Sequence, residues 1–150
     1  MLEQRLEQDL KTALLGGDTA RVTTLRNLKA ALLNLKVATG KRDSGLSDDE
    51  ILGVLSKQAK QRQESADLYV QGGDQARADQ ELSENKLIEE YLPALLSEAD
   101  IASAVDDAII STGASGLAAM GQVIGQVKGK LGAAADGAVI AHIAKEKLSQ

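Results

Sequence analysis

The chain carries a single histidine, His142, and no cysteine. Histidine is the side chain best suited to proton transfer near neutral pH, and imidazoles and thiolates are the usual zinc ligands. A zinc site needs three or four ligands, and a Ser–His–acid constellation would have to run through His142. No Gly-x-Ser-x-Gly elbow offers the serine. Sequence-adjacent acids such as Asp106-Asp107 and Glu89-Glu90 point about 100° apart on a helix, whereas acid–base pairs must converge on a cleft. His142 is expected on the surface of the last helix. No catalytic centre is visible in these residues, so the expectation is a chain that is not an enzyme by itself, with no cofactor and no metal; the alternative is a site that distant residues assemble only in the fold.

Basic residues offer a different chemistry, the capture of phosphate. The net charge is −5, but it is unevenly spread. Arg21 to Arg62 holds nine Lys/Arg against four Asp/Glu, and Asp67 to Asp107 holds two against eleven. From Gly113 onward there are four against two. Either the basic part meets an anionic partner such as nucleic acid, or basic and acidic helices neutralise each other within the fold. Arg21, Arg26, Lys29 and Lys36 fall within an arc of about 140° on one helix, bordering its leucine stripe. There they can snorkel over apolar surface or line an anionic groove. The candidate nucleic-acid contacts are Arg26, Lys29, Lys36, Lys57, Lys60, Lys128 and Lys130. With Tyr69 and Tyr91 as the only aromatics, base stacking is nearly closed to this chain. Any RNA would be read through shape and phosphates.

Two further patterns depart from plain amphipathic helices. Arg62 shares a face with Leu55, Ala59, Ala66 and Tyr69, where a core residue is expected. A charge on a packing face needs a partner, and Glu81 or Glu89 on the next helix would supply one. The other reading is an arginine exposed in a groove for phosphate. Gly121, Gly125 and Gly129 recur at four-residue steps. Each costs a helix about 1 kcal/mol against alanine, so something is expected to approach that face closely: another helix, a ligand or a nucleic-acid backbone. Lys128 and Lys130 lead from there to a small-residue turn and a helix start at Asp136-Gly137. Helix starts attract phosphate, but Asp136 at the cap opposes it, and the spacing is not that of a P-loop.

The elements that must position these residues are all helices. The first runs from about Leu2 to Leu15 and stops at Gly16-Gly17. Asp18 caps a second, which ends near Ala38. Ser47 and Glu50 form a capping box opening a third helix to about Gln71. Asp74 caps a fourth, which runs to Tyr91-Leu92, where Pro93 forbids smooth continuation. Ser97 and Asp100 open a fifth helix to about Ser111. Ser115 starts a sixth to about Leu131, and Asp136-Gly137 opens the last. No period-two run marks a strand. The expected fold is all-α: a bundle of about four helices over residues 1–92, then a three-helix domain over 97–150. No apolar run approaches the roughly 18 residues of a membrane span, so no membrane partner is expected. The N-terminus lacks an apolar signal segment, and its acids argue against a mitochondrial leader. The expected location is cytoplasmic.

Several stretches together resemble the YqeY family: Leu-Arg-Asn-Leu-Lys-Ala-Ala at 25–31, Lys-Gln-Ala-Lys-Gln-Arg-Gln-Glu-Ser at 57–65, Tyr-Leu-Pro-Ala-Leu-Leu-Ser-Glu at 91–98, and Ala-Asp-Gly at 135–137 before a helix ending Lys-Glu-Lys-Leu. The similarity spans almost the whole chain in order. It implies an N-terminal helical part and a C-terminal three-helix part related to the tail of the B subunit of the tRNA-dependent amidotransferase. That enzyme is a glutamine-dependent carbon–nitrogen ligase. The tail's implied role is to touch the body of tRNA, and the implied partners are tRNA, the amidotransferase or a translation-related protein. A protein-interaction module without RNA contact is the competing reading. One departure stands out. The family tends to show Gly-Arg-Ala-Asp-Gly before its last helix, and Ala134 stands here in place of the arginine.

Overall fold

Glycine and aspartate punctuation divides the chain into seven α-helices and no strand. A computed structural model describes all of Met1–Gln150. Its helices are α1 (Leu2–Gly16), α2 (Thr19–Thr39), α3 (Asp48–Gln71), α4 (Gln75–Glu89), α5 (Glu98–Thr112), α6 (Met120–Leu131) and α7 (Gly137–Leu148). They fall into two compact units, Met1–Leu92 and Pro93–Gln150. No single helix is long and apolar enough to cross a membrane.

Local chemistry explains most of the boundaries. Asp18, Asp74 and Asp136 each accept a backbone N–H from the first turn that they cap. Ser47 accepts from the Glu50 amide, and the Glu50 carboxylate takes the Ser47 N–H at 2.9 Å. Ser97 and Asp100 repeat this reciprocal cap on α5. Two boundaries differ from those the sequence implies. α4 stops at Glu89, and the chain reaches Tyr91 and Leu92 in a tighter turn, because Pro93 disfavours helical backbone in the residue before it. α6 begins at Met120 rather than near Ser115. Gly116 sits at φ 75°, outside any helix, and a single 3₁₀ turn over Leu117–Ala119 precedes the α-helix.

The first unit packs Leu6, Leu25, Leu28, Leu32, Ile51, Leu55, Ile88 and Tyr91 into one aliphatic core. Tyr91 closes it: its hydroxyl donates to Asp9 Oδ2 at 2.5 Å, and the Arg5 guanidinium lies over its ring. Burial and the bond to Asp9 push the phenol pKa well above its usual range.

The contribution of α3 to that core ends at Ala59, and that of α4 begins at Ile88. The last turns of α3 and the first of α4 therefore form a two-helix arm, about 18 Å long at 1.5 Å per residue. Small Ala66 and Ala78 are buried in it. The second unit builds its own core from Ile101, Val105, Val123, Val127, Ile140, Ile143 and Leu148, filled in by alanines.

Candidate nucleic-acid interface

The basic arc on α2 is largely neutralised. α1 and α2 run antiparallel from the Gly16–Gly17 turn, which brings Glu3 and Glu7 onto α2. Lys36 is held by Glu3, and its side chain is only 18% exposed. Lys29 Nζ lies 3.5 Å from Glu7 Oε1. These two pairs border a cleft of about 260 Å³ that Leu6 and Leu32 help to line. Arg21 makes two bonds to Glu90, at 2.9 and 3.1 Å. Of the four residues in the arc, Arg26 alone is exposed without an acidic partner. The sequence contained a signal for this neutralisation. Glu3 and Glu7 are one turn apart, so they share a face of α1.

Arg62 lies in the arm with its side chain 13% exposed, bonded through Nη1 to Glu81 at 3.1 Å and also to Glu84. The position is too enclosed and too acidic to receive phosphate. Glu89, offered as an alternative partner, is exposed and takes no part. Hairpin register is the reason. Arg62 and Glu84 are equidistant from the turn residue Gly73, whereas Glu89 lies five residues further along, roughly 7.5 Å down the axis. Lys57 and Lys60 are exposed on α3 with no acidic partner within bridging distance.

In the second unit, Lys128 and Lys130 also lack acidic partners. They are two residues apart, so they leave α6 on nearly opposite sides. Lys130 lines a cleft between α5 and α6 together with Asp107. Lys128 reaches the start of α7, where its Cε lies 2.9 Å from the place a Cβ on Gly137 would occupy. Glycine at 137 thus makes room for the lysine stem beside the Asp136 cap. Gly121, Gly125 and Gly129 correct an expectation: all three are exposed, with nothing within 4 Å of a notional Cβ. No helix of this chain packs against them, because Val123 and Val127 turn the opposite face of α6 to the core. His142 is exposed, 3.9 Å from Glu146.

Two carboxylates are held below their usual range. For Glu90 the largest cause is its bond to Arg21, and for Glu50 its bond to Lys41, followed by the Ser47 N–H. A lowered folded pKa adds stability above the ordinary value near 4.5 that is lost as pH falls through the folded value. The thermal stability of the first unit is therefore expected to fall as pH drops below about 4.5, and less steeply in a Glu50→Gln/Glu90→Gln variant. Equal slopes for the two proteins would remove these residues from the account.

Four helices in one unit, three in the other and no strand make this an all-helical protein of two units. It belongs to the YqeY family, described as Yqey-like protein, whose pattern matches residues 3–148. Three curated relatives carry the name "Altered inheritance of mitochondria protein 41, mitochondrial". The one from Eremothecium gossypii is 36% identical over 90 residues, 60% of this chain and 48% of the relative. Those from Vanderwaltozyma polyspora and Kluyveromyces lactis are 32% and 31% identical over stretches of the same length and coverage. The match thus spans about half the length of each relative. These names overturn the expected cytoplasmic location, since every one of them is mitochondrial. That expectation rested on the residue pattern of the first ten positions, and a missing leader pattern there carries no information about compartment.

Proposed function

We propose that this protein is a non-catalytic helical module that touches the body of a tRNA through α6 and the start of α7, as an accessory to amidotransferase-type chemistry. The observation that carries the reading is the outer face of α6. Three exposed glycines leave that face without side chains, and Lys128 rises beside it without an acidic partner. A sugar-phosphate backbone can approach such a face closely, and an ammonium beside a helix start offsets the Asp136 carboxylate. The α2 arc serves the fold instead, since α1 neutralises Lys29 and Lys36. With a net charge of −5, the protein makes few phosphate contacts and binds weakly.

The test is binding of purified protein to bulk tRNA across a salt series. The expected log–log slope is shallow, about −2, with Lys128→Glu removing about one unit of it and weakening binding about tenfold. A Lys29→Ala/Lys36→Ala variant is expected to bind as the parent does. Absence of binding at low salt, or indifference to Lys128→Glu, overturns the reading and turns attention to protein partners.

A further inference from the structure

We infer that the α3–α4 arm is a clasp that opens by itself: Gln75–Lys86 of α4 detaches from α3 while the four-helix core stays folded. The composition of the seam between the two helices carries the inference. On α3, Ala59, Arg62, Ala66 and Tyr69 follow one another at alternating steps of three and four residues. On α4, Ala78, Glu81, Asn85 and Ile88 do the same. That spacing is the pattern of a two-stranded coiled coil, in which each side chain enters a hole between residues of the facing helix. The bonds from Arg62 to Glu81 and Glu84 set the register. Antiparallel layers then run Ala59 with Ile88, Arg62 with Asn85, Ala66 with Glu81, and Tyr69 with Ala78.

Ile88 is the last large aliphatic side chain in this seam, and it belongs to the main core. Beyond it the seam holds alanines, the Arg62 cluster and the half-buried ring of Tyr69. Leu68, Val70, Leu82 and Leu87 stand beside the seam. Leu68 and Val70 are exposed, and the other two are half-buried.

The Arg62–Asn85 layer also leaves polar atoms unsatisfied. Asn85 is 5% exposed, and its Oδ1 is buried with no hydrogen-bond partner. Arg62 bonds both carboxylates through Nη1, while its Nε is buried without a partner. Such groups regain hydrogen bonds to water when the helices part, which favours the open state. Once detached, Gln75–Lys86 is too short to persist as a helix in water, so parting and melting of that stretch are one event. The core keeps its packing through this event, because Ile51, Leu55 and Ile88 stay among the leucines of α2.

Native-state hydrogen exchange of the full chain in a low-urea series tests this. Amides of residues 66–70 and 79–85 are expected to exchange about hundredfold faster than those of Leu28 and Leu32. Low urea should hardly accelerate them, since the opening exposes little surface, whereas the α2 amides should accelerate steeply. Asn85→Ala is expected to slow exchange in the arm about tenfold, because it removes the unpartnered oxygen and supplies a better helix former. Leu28 and Leu32 should be unchanged in that variant. A buried amide that held the arm together would give the reverse sign. Arm amides that exchange at the rate of α2 with its urea dependence, or arm exchange that Asn85→Ala does not slow, would each overturn the inference.

Discussion

Replacing Arg62 with methionine is expected to open the α3–α4 arm while the four-helix core stays folded. The Arg62, Glu81 and Glu84 side chains are 13%, 25% and 18% exposed, so their ion pairs sit in the partly buried regime rather than at the open surface. Removing one member of such a cluster leaves uncompensated charge, here two carboxylates, and costs about 3 kcal/mol. The arm has little else to absorb the loss. Beyond Ala59 and before Ile88 it contributes nothing to the main core, and its own burial rests on the small Ala66 and Ala78. The loss should therefore appear locally. Native-state hydrogen exchange is expected to show amides of residues 62–70 and 77–85 losing roughly hundredfold in protection, with those of α2 nearly unchanged. A triple variant, Arg62→Met with Glu81→Leu and Glu84→Leu, should recover most of it, because burying ions is replaced by burying hydrocarbon. Protection unchanged in Arg62→Met would show that the ion cluster does not hold the arm.

Truncating Ile140 to alanine is the second large effect, about 3–4 kcal/mol. Ile140 is fully buried among Val105, Val123 and Ala144. The second unit has no aromatic residue, and its core is padded with Ala104, Ala108 and Ala144. None of these can swing into the vacated space, so the cavity persists. A unit of roughly sixty residues seldom holds more than about 3–5 kcal/mol in its core. Ile140→Ala should therefore leave α5, α6 and α7 largely unfolded together at 25 °C, seen as loss of helical ellipticity and exchange protection. Ile140→Val, at about 1 kcal/mol, should keep the unit folded. A folded, well-protected Ile140→Ala protein would mean that the unit draws stability from outside its own core.

What the sequence determined by itself is local. Ser47 with Glu50, Ser97 with Asp100, and the aspartates at 18, 74 and 136 mark helix starts because a cap is a hydrogen bond across two or three residues. The stop before Pro93 is legible for the same reason, and so is the all-helical class, since aliphatic periodicity is written residue by residue. The family resemblance was readable from four short stretches in order. Where the local signal was ambiguous, the boundary moved: Ser115 looks like a cap, but Gly116 at φ 75° defers α6 to Met120.

The fate of each charge was decided by tertiary structure. Lys29 and Lys36 look like phosphate ligands along α2 and become partners of Glu7 and Glu3 once α1 folds back on them. Arg62 signalled a need for an acid, but only hairpin register selects Glu84 beside Glu81 and leaves Glu89 out. The glycine face of α6 implied a close neighbour, and the fold leaves it open. The physical reason is range. A cap or an apolar stripe is satisfied within a few residues, whereas an ion pair between helices depends on which helices meet and how far each has slid along the other. That geometry follows from packing Leu6, Leu28 and Ile88 together, and no single helix encodes it.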